Sequence, residues 1–319
     1  MRALTSPSAQ KPLAWVELPA PKLGDDDVRV EVRAVGVNPV DWKMRQGELL
    51  GIAQRIIGPR GPLVTGVDFA GTVTAVGADV HGVRIGDRVV GGTDFSRGQR
   101  GSYAAEVTVR AEQVAALPPA VSFADAACLP VAGVTAHRAL FEVGHLSEKF
   151  SARALILGAA GGVGHFAVQL ARLGGAMTFG VCSARNVPLV ERLGGVAIDY
   201  GRGDALAAAA AHGPYDVIVD TVGSSTYPVG RCVKMLKADG VHVLIMPRAA
   251  DLPRLALQAR HVRTILGRPA GANLQPLVDA LASGGLQVVI QERIPLGEAE
   301  RAHQISRGGK VVGKLVLVA

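Results

Sequence analysis

The run Ala154-Leu155-Ile156-Leu157-Gly158-Ala159-Ala160-Gly161-Gly162-Val163-Gly164-His165-Phe166-Ala167-Val168-Gln169-Leu170 carries the chemistry most legible in this chain. Apolar residues suited to a strand lead into a glycine turn, and apolar residues at helical spacing follow. In such a turn the backbone N–H groups of Gly158, Ala159, Ala160, Gly161, Gly162 and Val163 can face a pyrophosphate. The start of the helix adds unpaired donors and a partial positive charge. Gly164 would let helix and strand pack closely. An ordinary tight turn would look the same in isolation; the flanking strand and helix, with further strand–helix units downstream, supply the context the motif requires.

The next strand selects between coenzymes. A site for the unphosphorylated dinucleotide wants an acid about 20 residues past the turn to hold the ribose hydroxyls. Here Met177–Cys182 is followed by Ser183-Ala184-Arg185-Asn186, and no acid comes before Glu191. A carboxylate would repel a 2′-phosphate, whereas Ser183 can hydrogen-bond it and Arg185 can pair with it bidentately. NADPH is therefore expected over NADH. A solvated charge at a helix start is the plainer account of Arg185. Tyr200, after a third strand, could bond the same phosphate or simply pack on the surface. Val222, Gly223 and Met246 follow later strands and are expected to border the nicotinamide, since ligands of such sheets sit beyond the strand ends.

The elements that must position these residues fall into two textures. The first third is β: Val28 to Val35 alternates apolar with charged residues, and short apolar runs at 70–76, 88–90 and 106–109 are punctuated by glycine, as in a barrel or sandwich. From Ser122, a possible N-cap, the pattern turns helical to Leu140 with Pro130 as a break. Strands and helices then alternate to about 246, with helices expected at 187–193, 205–211 and 229–237 and a strand at 241–246. Alternation of this kind argues an α/β class with a doubly wound parallel sheet. The strand Lys314–Val318 is expected to rejoin the first body.

Composition narrows the classes. The chain has 319 residues, enough for about two domains. With 49% apolar and 19% charged residues it is not a disordered chain. Lys plus Arg number 34 against 27 acids, a net charge of +7, yet no basic block appears and aromatics are only 4%, so no nucleic-acid partner is expected. Cys128, Cys182 and Cys232 are too scattered for a disulfide framework. The absence of an apolar leader and the cysteine pattern lead to the expectation of a cytoplasmic protein without membrane attachment.

Beyond these readings the chain resembles the medium-chain dehydrogenase/reductase superfamily. The resemblance rests on the glycine run above, on Val35-Gly36-Val37-Asn38-Pro39-Val40-Asp41-Trp42-Lys43, on Gly66-Val67-Asp68-Phe69-Ala70-Gly71-Thr72-Val73, and on Val83 to Val89, Gly133 to Ala136 and Gly309 to Leu317. It covers essentially the whole chain in order. It implies a GroES-like β-barrel domain from both chain ends (1–122 and 266–319) with a Rossmann domain (123–265) inserted between.

Where zinc members of the superfamily have a Cys, this chain has Asn38, and Val67 and Asp68 stand in the places of His and Glu. Val67 cannot ligate zinc, the four-cysteine lobe is missing, and the eight histidines are scattered, so most of them read as surface or partly packed residues. The resemblance is thus to zinc-free quinone oxidoreductases and enoyl reductases, with no metal expected. Without a Lewis acid, alcohol oxidation is disfavoured; hydride donation from NADPH to a quinone or α,β-unsaturated carbonyl is the expected activity. A specialised biosynthetic enoyl or polyketide-type reductase, or an NADPH-binding protein without catalysis, are the alternatives. The resemblance implies that Asn38 and Asp41 line the site beside the nicotinamide and that Thr135 contacts it. Asn38 as a turn residue before Pro39 and Asp41 as a helix cap explain those residues equally well. Tyr103 and Asp41 are conceivable proton donors or relays. The stretch 49–60 is expected to shape the approach of substrate. A homodimer is also implied, paired through a sheet edge at Val241–Met246.

Overall fold

The computed structural model describes residues 1–6, 11–46, 62–245, 247, 251, 257–265 and 270–319; Met246 and the stretch 49–60 lie outside the described residues. The chain forms two compact units, one of Met1–Val134, Arg268–Gly284 and Ile290–Ala319, the other of Thr135–Gly267 and Gly285–Val289.

The first unit opens with the antiparallel pair β1 (Arg2–Thr5) and β2 (Ala14–Glu17), followed by β3 (Asp27–Val37), β4 (Asp68–Val76), β5 (Arg88–Gly92), β6 (Glu106–Arg110) and β7 (Val114–Ala116). The second contains β8 (Arg153–Leu157), β9 (Met177–Cys182), β10 (Val196–Asp199), β11 (Tyr215–Asp220), β12 (Leu236–Leu244) and β13 (Val262–Thr264). The chain then returns to the first unit with β14 (Ile290–Pro295) and β15 (Lys314–Val318).

In the first unit the sheet runs β14-β15-β3-β4-β5-β7, with β6 also paired to β3. The sequence explains why β3 is its hub. Val28, Val30 and Val32 alternate inward while Arg29, Glu31 and Arg33 point outward, as expected for a strand with one wet face. Its last four residues, Ala34–Val37, are all buried, because β15 closes against them in antiparallel register (Leu315 opposite Val37, Leu317 opposite Val35). Val28, Val35, Phe69, Val109 and Leu317 form the centre of the core. The helix Ala299–Arg307 buries Ala299, Ala302 and His303, the i, i+3, i+4 stripe of an amphipathic helix. The stretch after Ser122 is helical but broken: Ser122 Oγ caps Phe123–Ala126 by accepting from the Asp125 N–H, and Leu129–Gly133, which contains Pro130, is a π-helical turn. Two ties hold this stretch to the barrel, since Val131 N–H donates to Asp68 and Gly133 lies against Leu277. The first unit therefore extends to Val134, past the boundary expected at residue 122.

The second unit is a parallel sheet in the order β10-β9-β8-β11-β12-β13, the 3-2-1-4-5-6 order of a Rossmann fold. All six residues of β11 are buried, as befits a central parallel strand. Helices Gly164–Leu173, Val187–Arg192, Ala205–Ala210 and Val229–Val233 follow successive strands.

Two expectations fail here. The helix expected to reach Lys237 stops at Val233, and β12 already begins at Leu236. Lys237-Ala238-Asp239-Gly240 is a bulge, since the partners of β11 on β12 jump from Leu236 to Val241, and polar residues in a bulge imitate a helix end. Nor is Val241–Leu244 a sheet edge: it lies between β11 and β13. An apolar central strand and an apolar edge strand look alike in sequence, and here β13 provides the cover. Among the described residues no helix is long and apolar enough to cross a membrane.

Candidate active site

Asn38 and Asp41, three residues apart, meet the distant Tyr103 inside the first unit, and the structure adds Asp68, His303 and Lys314. All are buried, with Asp41, Asp68, Tyr103 and His303 at 0% exposure. Pro39 at the first helical position makes Asn38 the N-cap of Pro39–Arg45, and Asp41 Oδ2 accepts the Asn38 N–H at 2.8 Å. The capping account of Asp41 is therefore realised. The Asn38 amide is fully engaged as a donor: Nδ2 donates to Gly36 O at 3.2 Å and to Asp68 Oδ2 at 2.9 Å. Its Oδ1 accepts from Lys314 Nζ at 2.5 Å, and the same ammonium donates to Val37 O at 2.9 Å. Lys314 Nζ also lies 3.5 Å from Asp68 Oδ2, and Asp68 Oδ1 accepts the Val131 N–H at 2.9 Å.

A second arm leaves from Asp41. The Tyr103 hydroxyl is 3.3 Å from Asp41 Oδ2 and 3.0 Å from His303 Nε2. One hydroxyl proton cannot serve both, so two arrangements exist. Either His303 Nε2–H donates to the phenol oxygen and the phenol donates to a carboxylate, or a protonated Asp41 donates to the phenol and the phenol donates to His303. Burial, opposed in part by the Asn38 N–H, pushes the Asp41 carboxyl up to about 7. Burial likewise raises Asp68 to about 6, against the pull of the Lys314 charge. Burial and then the Arg45 charge bring His303 down to about 4, so its ring is neutral. Burial, with the Asp41 charge beside it, holds the Tyr103 phenol well above its usual range.

These shifts have a consequence for stability. Between its ordinary 3.8 and about 7, Asp41 holds its proton in the folded chain and loses it in the unfolded one. The folded state then binds the extra proton, so Asp41 makes stability fall as pH rises, by about 1.4 kcal/mol per pH unit for one proton. In Asp41→Asn that slope is absent, while the opposing slope from His303 is common to both proteins. The melting temperature of Asp41→Asn relative to the parent is expected to climb through this interval and level off above it. Parallel melting profiles across pH would show that Asp41 ionises in the fold as it does in water.

In the second unit parallel pairing gathers the candidates other than Thr135 and Met246 at one end of the sheet. Leu157 pairs with Val181 and with Asp220, and Cys182 pairs with Asp199. The glycine turn, Ser183 to Arg185, Tyr200 and Thr221 to Gly223 therefore follow neighbouring strand ends. Gly158 has φ +82°, and a Cβ on it would lie 2.5 Å from Thr221 Oγ1 and 2.8 Å from Val222 Cγ2, so the turn sits directly against the loop after β11. Gly161, Gly162 and Val163 are partly exposed, while Ala159 and Ala160 are buried. Ser183 is half-buried, Arg185 is exposed, Tyr200 is 53% and Val222 43% exposed, and Thr135 is buried. Asp220 shapes the loop after its own strand, its Oδ1 accepting from the N–H groups of Val222 and Gly223 at 2.9 and 2.8 Å.

Tertiary pairing also adds two charges the sequence spacing conceals. Asp199 lies beside the end of β9, but its Oδ1 accepts the Gly201 N–H at 2.8 Å and its Oδ2 is 3.6 Å from Arg202 Nε, so the acid is held by its own turn. Arg202 is 88% exposed on that turn. Not all of the turn's N–H groups are offered to a ligand as expected: Gly158 and Ala159 both donate to Val181 O, and Gly161 donates to Gly158 O. The partly exposed residues 161–163 and the helix start at Gly164, at a switch point of the sheet, are the part of the turn that fits a dinucleotide pyrophosphate.

Five of the eight histidines are exposed or partly buried, as expected of most of them, while His165, His242 and His303 are fully buried. Of these only His303 joins the cluster, and a His on the buried stripe of an otherwise polar helix is the signal that could have marked it. Lys314 carries a similar signal, a charge opening an apolar strand.

A two-unit chain of this topology, with a nucleotide cradle in its parallel sheet, is a dehydrogenase-type fold. Residues 24–119 match the family described as alcohol dehydrogenase GroES-like domain, and residues 194–317 the family described as zinc-binding dehydrogenase. The chain is 30% identical to the chloroplastic quinone-oxidoreductase homolog of Spinacia oleracea, over 96% of this chain and 93% of that protein. The quinone oxidoreductase from Coxiella burnetii superposes with a TM-score of 0.89 at 30% identity, covering 100% of this chain and 99% of that one. The Escherichia coli quinone oxidoreductase complexed with NADPH gives 0.81 at 25% identity over the full length of both. The chain belongs to the medium-chain dehydrogenase/reductase superfamily of NAD(P)H-dependent oxidoreductases, among the relatives of the quinone oxidoreductases.

The zinc in one family description does not fit these residues. Val67 offers no donor atom, Asn38 and Asp68 are bound up with Lys314, and an ammonium 3.5 Å from the carboxylate opposes a second cation. Among the described residues no group of three His, Cys, Asp or Glu could hold a metal ion.

Proposed function

We propose that the protein is an NADPH-dependent reductase that delivers hydride to a quinone or an α,β-unsaturated carbonyl without a metal. The observation that carries the coenzyme preference is the convergence of Ser183, Arg185 and Tyr200 at paired strand ends, with the nearby Asp199 carboxylate already engaged. A hydroxyl, a guanidinium and a phenol suit a 2′-phosphate, and an uncommitted acid would repel it. The Escherichia coli relative with NADPH bound supports the same choice. NADPH supplies the hydride; the chain's own part is to hold the dinucleotide on the glycine turn and to keep the Asn38–Asp41 shoulder rigid.

A quinone or enone is already electrophilic and needs no Lewis acid, which suits a donor set unfit for zinc. Asn38 and Tyr103 act as supports, because their side-chain polar atoms are spent on Lys314, Asp68, Gly36, Asp41 and His303; Asp41 is engaged through Oδ2, while its Oδ1 is buried without a hydrogen-bond partner. Water then protonates the reduced product. Following reduced-nicotinamide absorbance with a panel of quinones and enones is expected to give acceptor-dependent turnover, at least about tenfold faster with NADPH than with NADH at equal low concentration. No turnover with any acceptor would end this reading.

We also propose a homodimer. Among the described residues β13 pairs only with β12, which leaves an open strand edge for a second copy. Light scattering is expected to give twice the chain mass; a monomer mass would remove the proposal.

A further inference from the structure

We propose that Lys314 is a positioning residue of this reductase: its buried ammonium fixes the Asn38 amide and the Asp68 carboxylate, and through Asp68 the backbone of Leu129–Gly133. This inference rests on the function proposed above, in which the Asn38–Asp41 shoulder is kept rigid for hydride transfer.

The geometry is that of a cage built around a cation. Lys314 is 2% exposed and Asp68 0%. The ammonium reaches Val37 O, Asn38 Oδ1 and, at 3.5 Å, Asp68 Oδ2, so its donors face three acceptors from the end of β3, the helix cap and the start of β4. An Asn side chain can turn end for end at little cost. Here the positive charge on one side and the carboxylate on the other permit only one sense: Oδ1 must face Lys314 and Nδ2 must face Asp68 and Gly36 O. The second carboxylate oxygen then holds the Val131 N–H at 2.9 Å, four residues before Thr135 in the chain. A single ammonium thus orients a cap, a carboxylate and a helical turn that come from separate stretches of sequence.

Other charges bear on the cage. Asp41 faces it from the helix Pro39–Arg45 and senses both Asp68 and Lys314. The buried Cys128 thiol also senses Lys314 and Asp68, and more weakly Asp125 and Arg293. Tyr103 and His303 lie beyond Asp41, and His303 in turn senses Arg45, Glu300 and Arg307. Without Lys314 the buried Asp68 carboxylate would lose the ammonium 3.5 Å from it and Asp41 a nearby positive charge, and each would hold its proton to higher pH. Breaking a buried pair from one side leaves such a charge stranded, whereas removing both partners does not.

The test uses the full chain with Lys314→Met, which keeps the length of the side chain, and Lys314→Met combined with Asp68→Asn. Melting temperature across pH, kcat and the KM for NADPH are measured for each beside the parent. Lys314→Met is expected to melt lower, increasingly so as pH rises, and to lose at least tenfold in kcat while the KM for NADPH changes less than threefold. The double variant is expected to regain most of the melting temperature and little of the kcat.

Recovery of kcat together with stability would reduce Lys314 to a counter-charge and overturn the proposal. So would a kcat in Lys314→Met equal to the parent's, or a double variant no more stable than the single one. If the parent itself turns over no acceptor, the function proposed above has failed and takes the inference with it. Turnover in the parent with no change in Lys314→Met fails the inference alone.

Discussion

Gly164→Ala is expected to weaken NADPH binding by on the order of a hundredfold, about 2.8 kcal/mol. The added Cβ would stand 2.1 Å from Gly158 O and 2.9 Å from Ala159 Cα, which are backbone atoms of the turn and cannot swing aside as a side chain would. Either the helix Gly164–Leu173 retreats from β8 or the turn opens. Both displace the N–H groups that would face the pyrophosphate, and overpacking of this kind costs about 1–3 kcal/mol in stability as well. Gly230→Ala is the control. It lies in the helix Val229–Val233, a Cβ there meets nothing within 4 Å, and binding like the parent's is expected. Calorimetric titration of both variants at a temperature where each is folded checks the pair. Parent-like affinity in Gly164→Ala would mean that the turn is not where the coenzyme's phosphates rest.

The second large effect concerns the choice of coenzyme. Arg185→Ala should lower kcat/KM with NADPH by roughly tenfold to a hundredfold, the worth of about 1.5–3 kcal/mol for hydrogen bonds to a charged group. The value with NADH should stay within about twofold, because NADH offers that guanidinium no phosphate to bind. Tyr200→Phe removes one neutral donor and should cost only about threefold with NADPH. Equal losses with both coenzymes would place Arg185 in the scaffold rather than at the phosphate.

How far the sequence reaches can be judged from particular residues. The glycine turn and the strands around it were legible because their signals are local: strand, turn and helix follow one another within 154–173. Alternating burial in β3 was readable for the same reason. What stayed hidden depends on pairing between distant segments. Lys314 and Asp68 are separated by most of the chain, and no periodicity links them; only the meeting of β15 with the end of β3 brings the ammonium to Asn38. Asp199 escaped notice because it is close to Ser183 across a sheet and not along the sequence. The misplaced sheet edge has a similar origin, since the short β13 that covers β12 has one buried apolar residue and two exposed polar ones. Residue types on a strand report burial well, but they do not report which neighbour does the burying.

The pairing of β15 with β3 also bears on how the chain comes off the ribosome. The parallel sheet is drawn from one stretch of sequence between Arg153 and Thr264, so it can assemble while synthesis continues. The sheet of the first unit cannot, because β3 emerges early and waits for residues 314–318 before its ladder is complete. Contacts of such long sequence separation form slowly. In the interval the nascent chain carries an open, valine-rich strand edge, the kind of surface that chaperones shield and that aggregates exploit. For this protein the vulnerable period of biogenesis spans translation of the nucleotide-binding half and closes once residues 314–318 have paired with β3.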